Sequence, residues 1–438
     1  MSELRQGQII ALENGKQATI LKELGRGGQG IVYLVQINNQ QYALKWYLTP
    51  PSDWFYKNIK HNSERKAPAS NFLWAMTITK KIDGNFGYIM PLRPRGYMEL
   101  GDFFCEDRKT GRMRVVFKTF TAMLNVGINI CNSFGRLHRE GFSYQDINDG
   151  GFFINPDTGD VLICDTDNVV ANNSGEGFDG GKPRYMAAEV VNGSHPNTDS
   201  DLFSLAILLY RIFMIDHPLE GKYTASYPCL DDQTERYLYG SGAIFAFDKD
   251  NDTNRPSHIH RNAGYRWALC PPSLQAMFQR ALGHEAIINP RSRIRDDEWK
   301  RLFITLRKNV VACPNKSHSS DIDFMLEPNS NNPVVCPFCH QQITLSCKLV
   351  FDEPHDEYIL TRHKYLYLGE STTPIGYCRI RNVEGRVDLG LENLSGESWS
   401  VVTASHRQNV LPPKEIMPLR DGMFIRFNQN YSATVKVK

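Results

Sequence analysis

The sequence predicts an α+β chain: a small β-rich lobe leads into a larger helical lobe, followed by a cysteine-rich knuckle and a small all-β sandwich. Three observations carry that reading. Residues 18–47 alternate β-rich segments with Gly- and Asn-rich turns, Asn38-Asn39 among them, as an antiparallel meander would. Between Val116 and His138 apolar residues recur at Phe120, Leu124, Ile128, Cys131 and Phe134, which is helical periodicity, and Asp201 to Ile215 is apolar almost all round, as a helix buried inside a large lobe would be. Beyond Cys347, short alternating strands separated by Gly and Asn turns return. The boundaries that follow are 1–92 for the small lobe, 93–310 for the large lobe, 311–347 for the knuckle and 348–438 for the sandwich.

In the small lobe, Leu24 to Val35 reads L-G-R-G-G-Q-G-I-V-Y-L-V, which puts Gly25, Gly27, Gly30 and Val32 in a G-x-G-x-x-G-x-V pattern. Glycines there let backbone amides approach a triphosphate, and Val32 offers an apolar wall for a purine. A glycine-rich turn alone is more often a plain hairpin. This one is followed at matching spacing by Tyr42-Ala43-Leu44-Lys45, the V-A-I-K pattern, in which Lys45 would reach the phosphates and Ala43 would lie under the adenine. Leu24, Val32 and Ala43 would surround the base, and the segment Met90-Pro91-Leu92-Arg93, with Met90 and Leu92 lining the site, would offer it backbone hydrogen bonds; Pro91 has no N–H, so the donor is Leu92 or Arg93.

In the large lobe, Leu137-His138-Arg139-Glu140-Gly141-Phe142-Ser143-Tyr144-Gln145-Asp146 leads from the long helix into a loop with Asp146 in the place of a catalytic base. An apolar strand, Val161 to Cys164, precedes Asp165-Thr166-Asp167, where Asp165 stands at the magnesium position of a D-F-G run. Gly181 to Glu189 is similar to a segment ending in A-P-E. Ser200 to Ala206 resembles the start of a central buried helix, and Asn289-Pro290-Arg291-Ser292-Arg293 supplies an arginine for an ion pair with Glu189. Taken in order, these marks resemble the eukaryotic-like protein kinase superfamily over roughly residues 10 to 310.

The resemblance implies a bilobal kinase fold with ATP and Mg2+ (or Mn2+) between the lobes. Lys45, Asp146 and Asp165 would carry phosphoryl transfer to Ser/Thr hydroxyls of a protein substrate. There are departures. Gly151 stands where a second magnesium ligand, an asparagine, belongs, so one metal site is in doubt and Gly151→Asn is expected to raise activity if that gap is what limits it; Asn148, in the place of a lysine near the γ-phosphate, or Asp149 is the substitute oxygen ligand. Glu64 is the acidic candidate to pair with Lys45, in a helix cut short by Ala67-Pro68. Tyr144-Gln145 replaces His-Arg and removes the arginine that reads a phosphorylated activation loop. The alternative reading is a nucleotide-binding pseudokinase acting as a scaffold.

Ten cysteines without an export signal argue against a disulfide framework. Four residues, Cys313, His318, Cys336 and Cys339, give C-x4-H followed by C-x2-C, a pattern that can converge on one structural Zn2+; His340 and Cys347 are rival ligands. The strands after it fit an antiparallel sandwich of about 90 residues, and Leu419 to Phe427 resembles the closing strands of a forkhead-associated (FHA) domain. No arginine and serine pair is placed to grip phosphothreonine, so a protein-docking sandwich is the expectation. The polar stretch from His217 to Arg261, centred on Asp248 to Asp252, reads as a solvated insertion.

With 50 Lys and Arg against 48 Asp and Glu, no basic field argues for nucleic acid or anionic membrane. The N-terminus, Met1 to Gln6, lacks an apolar signal core, and the longest apolar stretch is cut by Arg211, so a cytoplasmic protein is expected. The run S-Y-Q-D-I-N-D-G-G-F-F-I-N-P together with the knuckle resembles bacterial kinases associated with tellurite-resistance and stress gene clusters. That resemblance implies a von Willebrand factor A-type protein and a metal-dependent protein phosphatase as partners.

Overall fold

The alternation in the N-terminal segment becomes a six-stranded antiparallel sheet in the computed structural model, which describes residues 3–175, 181–315, 318, 323–352, 356–383 and 386–438. Met1 and Ser2, and Lys316 and Ser317 within the C-x4-H spacing, lie outside the described residues. Strands β1 (Ile9–Ala11), β2 (Gln17–Arg26), β3 (Gly30–Ile37), β4 (Gln40–Tyr47), β5 (Thr77–Ile78) and β6 (Gly87–Met90) are ordered β1-β2-β3-β4-β6-β5. Asn38 and Asn39 both take positive φ (46° and 65°), which suits a two-residue turn between right-twisted strands. Period-two alternation divides the sheet: Ile31, Tyr33, Val35, Leu44, Trp46 and Ile89 pack on one side, and Ala43, Tyr88 and Met90 on the other.

Helix α1 (Asp53–Ser63) starts at Ser52, whose Oγ accepts from Phe55 N, and stops at Glu64, its C-cap. In the large lobe, Thr119 caps α2 (Phe120–Arg139) through Ala122 N, and the periodic face predicted from the sequence is buried. The short α3 (Ala188–Val191) precedes α4 (Thr198–Met214), which opens on a capping box between Asn197 and Ser200. From Leu202 to Met214 all but one of its residues are buried, Arg211 being the exception, and each large apolar side chain contributes roughly 1.5–3 kcal/mol.

The stretch from His217 to Arg261 is exposed at Lys249 to Asp252, as a solvated insertion would be, but it is not a plain loop. It forms helices at Lys222–Ala225 and Asp232–Tyr239, the second capped by Asp231 through Thr234 N. At its centre Asp248 is buried, because its carboxylate accepts from the amides of Asp250 and His284 and ties the stretch to the helix at His284–Ile288.

The C-terminal strands form two antiparallel sheets. One has six strands, in the order Asp356–Leu360, Cys347–Phe351, Ser432–Val437, Phe424–Arg426, Trp399–Val402 and Gln408–Leu411; the other has four, Tyr365–Leu366, Gly376–Val383, Arg386–Asn393 and Ile416–Pro418. Leu349, Cys378, Leu391, Trp399, Ile425 and Val435 fill the space between them. This sandwich is docked on the large lobe by buried cations. Arg307, in the Asp296–Lys308 helix, donates to Asn125 Oδ1 (2.8 Å) in α2 and to the backbone carbonyls of Gly369 (2.8 Å) and Ser371 (2.9 Å). Lys364 reaches back from the sandwich to the carbonyls of Lys308 and Val310, both at 2.7 Å.

Candidate active site

Sheet register assembles the cleft. Val32 pairs with Lys45, and Lys45 in turn with Tyr88; Ala43 pairs with Met90. Directly opposed side chains share a face, so Val32, Ala43 and Met90 join Leu92, Phe153 and Leu162 in one apolar cluster beneath the glycine loop. Leu24 is 45% exposed and stands outside that cluster. The three glycines differ. A Cβ at Gly30 would lie 2.2 Å from the carbonyl oxygen of Trp46, so close strand packing demands glycine there, whereas Gly25 and Gly27 have open space before them.

At the other end of the cleft, Lys45 Nζ lies 2.9 Å from Asp165 Oδ1 and 2.8 Å from Asp167 Oδ2. Burial alone would push this ammonium down; the charges of Asp167 and Asp165 hold it well above the usual lysine range. Asp165 takes a left-handed backbone (φ 53°) that leaves its side chain 41% exposed toward the cleft, while the side chain of Asp167 is completely buried. The expected partner Glu64 is not used. It caps the end of α1 and is exposed, because the helix stops at Ser63 before another turn could carry an acid inward. Helix α1 is joined to this segment by neutral groups instead: the Nδ2 atoms of Asn58 and Asn62 both donate to Val169 O at 2.9 Å.

The loop around Asp146 hangs from the start of α4. Asp201 accepts from Tyr144 N (2.6 Å) and Gln145 N (2.9 Å), and His138 bridges Asp201 and Asp296 at 3.3 and 2.8 Å. Burial disfavours a charged imidazole, yet the hydrogen bonds it donates to those two carboxylates raise His138 to about 10. Asp146 itself is half-buried and is pushed up to about 6 by burial; the amide of Asn148, 3.0 Å away, opposes the rise and the negative charge of Asp165 adds to it. Asn148 is occupied within the loop. Its Nδ2 donates to Asp146 and its Oδ1 accepts from Gly150 N at 3.0 Å. Asp149 binds Lys182 (3.1 Å) and Arg211 (3.0 Å), whose charges outweigh its burial and hold its carboxyl below the usual range.

Tyr144 explains Gly151. The buried Tyr144 hydroxyl donates to Cys164 O and would stand 3.2 Å from a Cβ at position 151, so an asparagine there must displace it. Gly151→Asn thus gains a ligand where the Tyr144 hydroxyl gives way to the new side chain. Farther on, Arg293 grips Glu189 through both terminal nitrogens at 2.7 Å and also donates to Asp199 O and Ala286 O.

In the knuckle, Cys313, His318, Cys336 and Cys339 present ligand atoms that all lie within 4.8 Å of one another. Cys313 Sγ is 3.6 Å from Cys339 Sγ, and Cys336 Sγ is 3.9 Å from His318 Nε2, separations that suit the edges of a tetrahedron around one zinc. The rivals are elsewhere: His340 is exposed, and Cys347 is buried in the sandwich core.

Asp167, Asn58 and Asn62 were not singled out in the sequence. The legible signal was a carboxylate where D-F-G has glycine, next to a helix with no acid on its inward face. Residues 97–285 match the family described as "Protein kinase domain". Among curated proteins, the chain is similar to "Protein kinase YegI" of Escherichia coli strain K12, at 23% identity over 314 residues, covering 69% of this chain and 47% of that protein. The same protein from Escherichia coli O157:H7 is 23% identical over 309 residues, covering 68% of this chain and 46% of its own length. The chain thus spans about half the length of the curated relatives it matches. Among solved structures, the kinase domain of Mycobacterium tuberculosis PknI aligns with a TM-score of 0.44 at 17% identity, and its C20A_R136A double mutant with 0.46 at 16%; each alignment covers 69% of this chain and 98% or more of the other. Among the described residues, no helix is long and apolar enough to cross a membrane.

Proposed function

We propose that the protein is an ATP-dependent kinase that phosphorylates Ser/Thr hydroxyls of a protein substrate in bacterial stress signalling. The observation that carries this reading is one cleft holding an apolar base site under a glycine loop, the Lys45–Asp165 pair and a half-buried Asp146. The residues present fit Mg-ATP. Asp165 offers a partly exposed carboxylate for the metal, Asn148 would add an oxygen only on releasing Gly150 N, and Lys45 offers a fixed cation for phosphates; when bound, the metal would neutralise phosphate charge. Val32, Ala43, Met90 and Leu92 would exclude water from the base. Asp146 would orient the acceptor hydroxyl and take its proton, and with a value near 6 it is ionised at neutral pH. In this reading Zn2+ in the knuckle is structural, and the chain works in the cytoplasm, where nucleotide and reduced thiols are available. The sandwich is read as FHA-like. A von Willebrand factor A-type protein and a metal-dependent phosphatase are the proposed partners.

The second reading, a nucleotide-binding scaffold without transfer, is favoured by Gly151 and by the engagement of Asn148 Oδ1 with Gly150. One experiment separates them: transfer of labelled γ-phosphate from ATP to the protein or a generic substrate, with Mg2+ or Mn2+, alongside a thermal-shift titration with nucleotide. Transfer lost in Asp146→Asn establishes the kinase. Stabilisation by nucleotide that weakens in Lys45→Ala, without transfer, establishes the scaffold; no stabilisation of the wild type overturns both.

A further inference from the structure

We propose that Asp167 is the positioning residue for Lys45, doing from within the Asp165 segment what an acid on α1 would otherwise do, so that the lysine is held whether or not α1 is seated. This deepens the kinase reading and rests on it for the role of Lys45. The geometry is specific. Asp167 Oδ2 receives Lys45 Nζ at 2.8 Å and the Tyr47 hydroxyl at 2.6 Å. Its side chain has no solvent exposure, and its Oδ1 is buried without a hydrogen bond among the described residues.

A buried carboxylate with one oxygen unsatisfied destabilises the fold on its own account. Such a group is expected where function, rather than packing, selects the residue. What it does here is fix the direction of Lys45. Tyr88 pairs with Lys45 across the strands, and Tyr47 lies 6.0 Å from the ammonium at its ring centroid, so the groups facing Lys45 are two phenols and two carboxylates. Of the carboxylates, Asp165 is partly exposed and is the one available to a metal; were it to turn toward a cation, Asp167 would still hold the ammonium.

The contrast with α1 gives the proposal its regulatory content. In this chain α1 touches the segment through the amides of Asn58 and Asn62, while Glu64 points to solvent. A displacement of α1 would break the two neutral hydrogen bonds to Val169 O, the one from Trp74 Nε1 to Asn62 O and the edge contact of Phe55 with Tyr47, none of which is an ion pair of Lys45. The lysine is therefore constitutively set, in keeping with a loop that lacks the arginine for a phosphorylated activation segment.

The test compares Asp167→Asn with Glu64→Gln in the full chain, using two readouts. The first is the KM for Mg-ATP and kcat of phosphate transfer. The second is acylation of Lys45 by an amine-reactive probe at fixed pH, located by peptide mass. Asp167→Asn should weaken Mg-ATP use by about tenfold or more and speed Lys45 acylation several-fold, since loss of the charge frees the amine. Glu64→Gln should change neither. Acylation needs no nucleotide, so it reports on the pair even if the kinase reading fails. If Asp167→Asn does not fold, Tyr47→Phe removes the phenol that steadies the carboxylate and should still speed acylation. Unchanged acylation in the folded variant, or an equal effect from Glu64→Gln, overturns the proposal.

Discussion

As the proposed general base, Asp146 sits where two requirements conflict. It must be shielded to orient a hydroxyl, and shielding raises its value to about 6. Phosphate transfer should therefore rise with pH through about 6 and level off above it, measured as kcat/KM between about pH 5 and 8. The same shift predicts a stability effect. A carboxyl whose folded value lies above the ordinary one stabilises the fold below about pH 4 and loses that contribution as the pH rises through about 6. Asp146→Asn should thus abolish transfer yet raise stability by on the order of 1 kcal/mol at neutral pH, a gain that shrinks in acid. Thermal unfolding at two pH values checks it.

At the scale of elements, the knuckle is too small to stand by itself. Its hairpin, Val334–Val335 against Gln342–Ile343, has two paired positions, and strands that short do not hold without a staple. Three thiols and an imidazole converge beside it; a zinc held by all four would supply the staple and would leave no position for substrate. Metal analysis should find about one zinc per chain. Cys336→Ser with Cys339→Ser should lose it and loosen the knuckle while leaving nucleotide stabilisation intact, as read by thermal shift. Wild-type protein folded through the knuckle without zinc would overturn the assignment.

Across the whole molecule, the sandwich and the large lobe are joined by polar groups that only pair when docked. Arg307 is 1% exposed and serves acceptors on both sides, and the Lys308–Asp356 and Lys300–Glu370 pairs flank it. Arg307→Leu leaves Asn125 Oδ1 and two backbone carbonyls unpaired in the interface, a loss of roughly 3 kcal/mol or more. Calorimetry should show one unfolding transition in the wild type and two in the variant, with the sandwich separating from the lobe. Nucleotide stabilisation should persist, since the cleft lies elsewhere in the fold.

The sequence by itself determined what depends on local pattern and order. The meander, the periodic α2, the buried α4 and the Cys/His set of the knuckle follow from periodicity and spacing, and the Glu189 contact with an arginine of the 289–293 run from the resemblance to protein kinases. Tertiary structure decided the rest. Lys45 could have met Glu64 or Asp167, and only the end of α1 at Ser63 and the burial of Asp167 choose between them. Tyr144 and Gly151 meet only because the fold brings the tyrosine hydroxyl beside the glycine, and Asp248 accepts from its neighbour Asp250 and from the distant amide of His284. Arg307 and Lys364 are ordinary surface cations in sequence; the packing of sandwich on lobe removes their water and makes carbonyls their partners. Periodicity reports which face an element buries, but the partner of a buried charge is fixed by whichever opposite group the fold brings within reach.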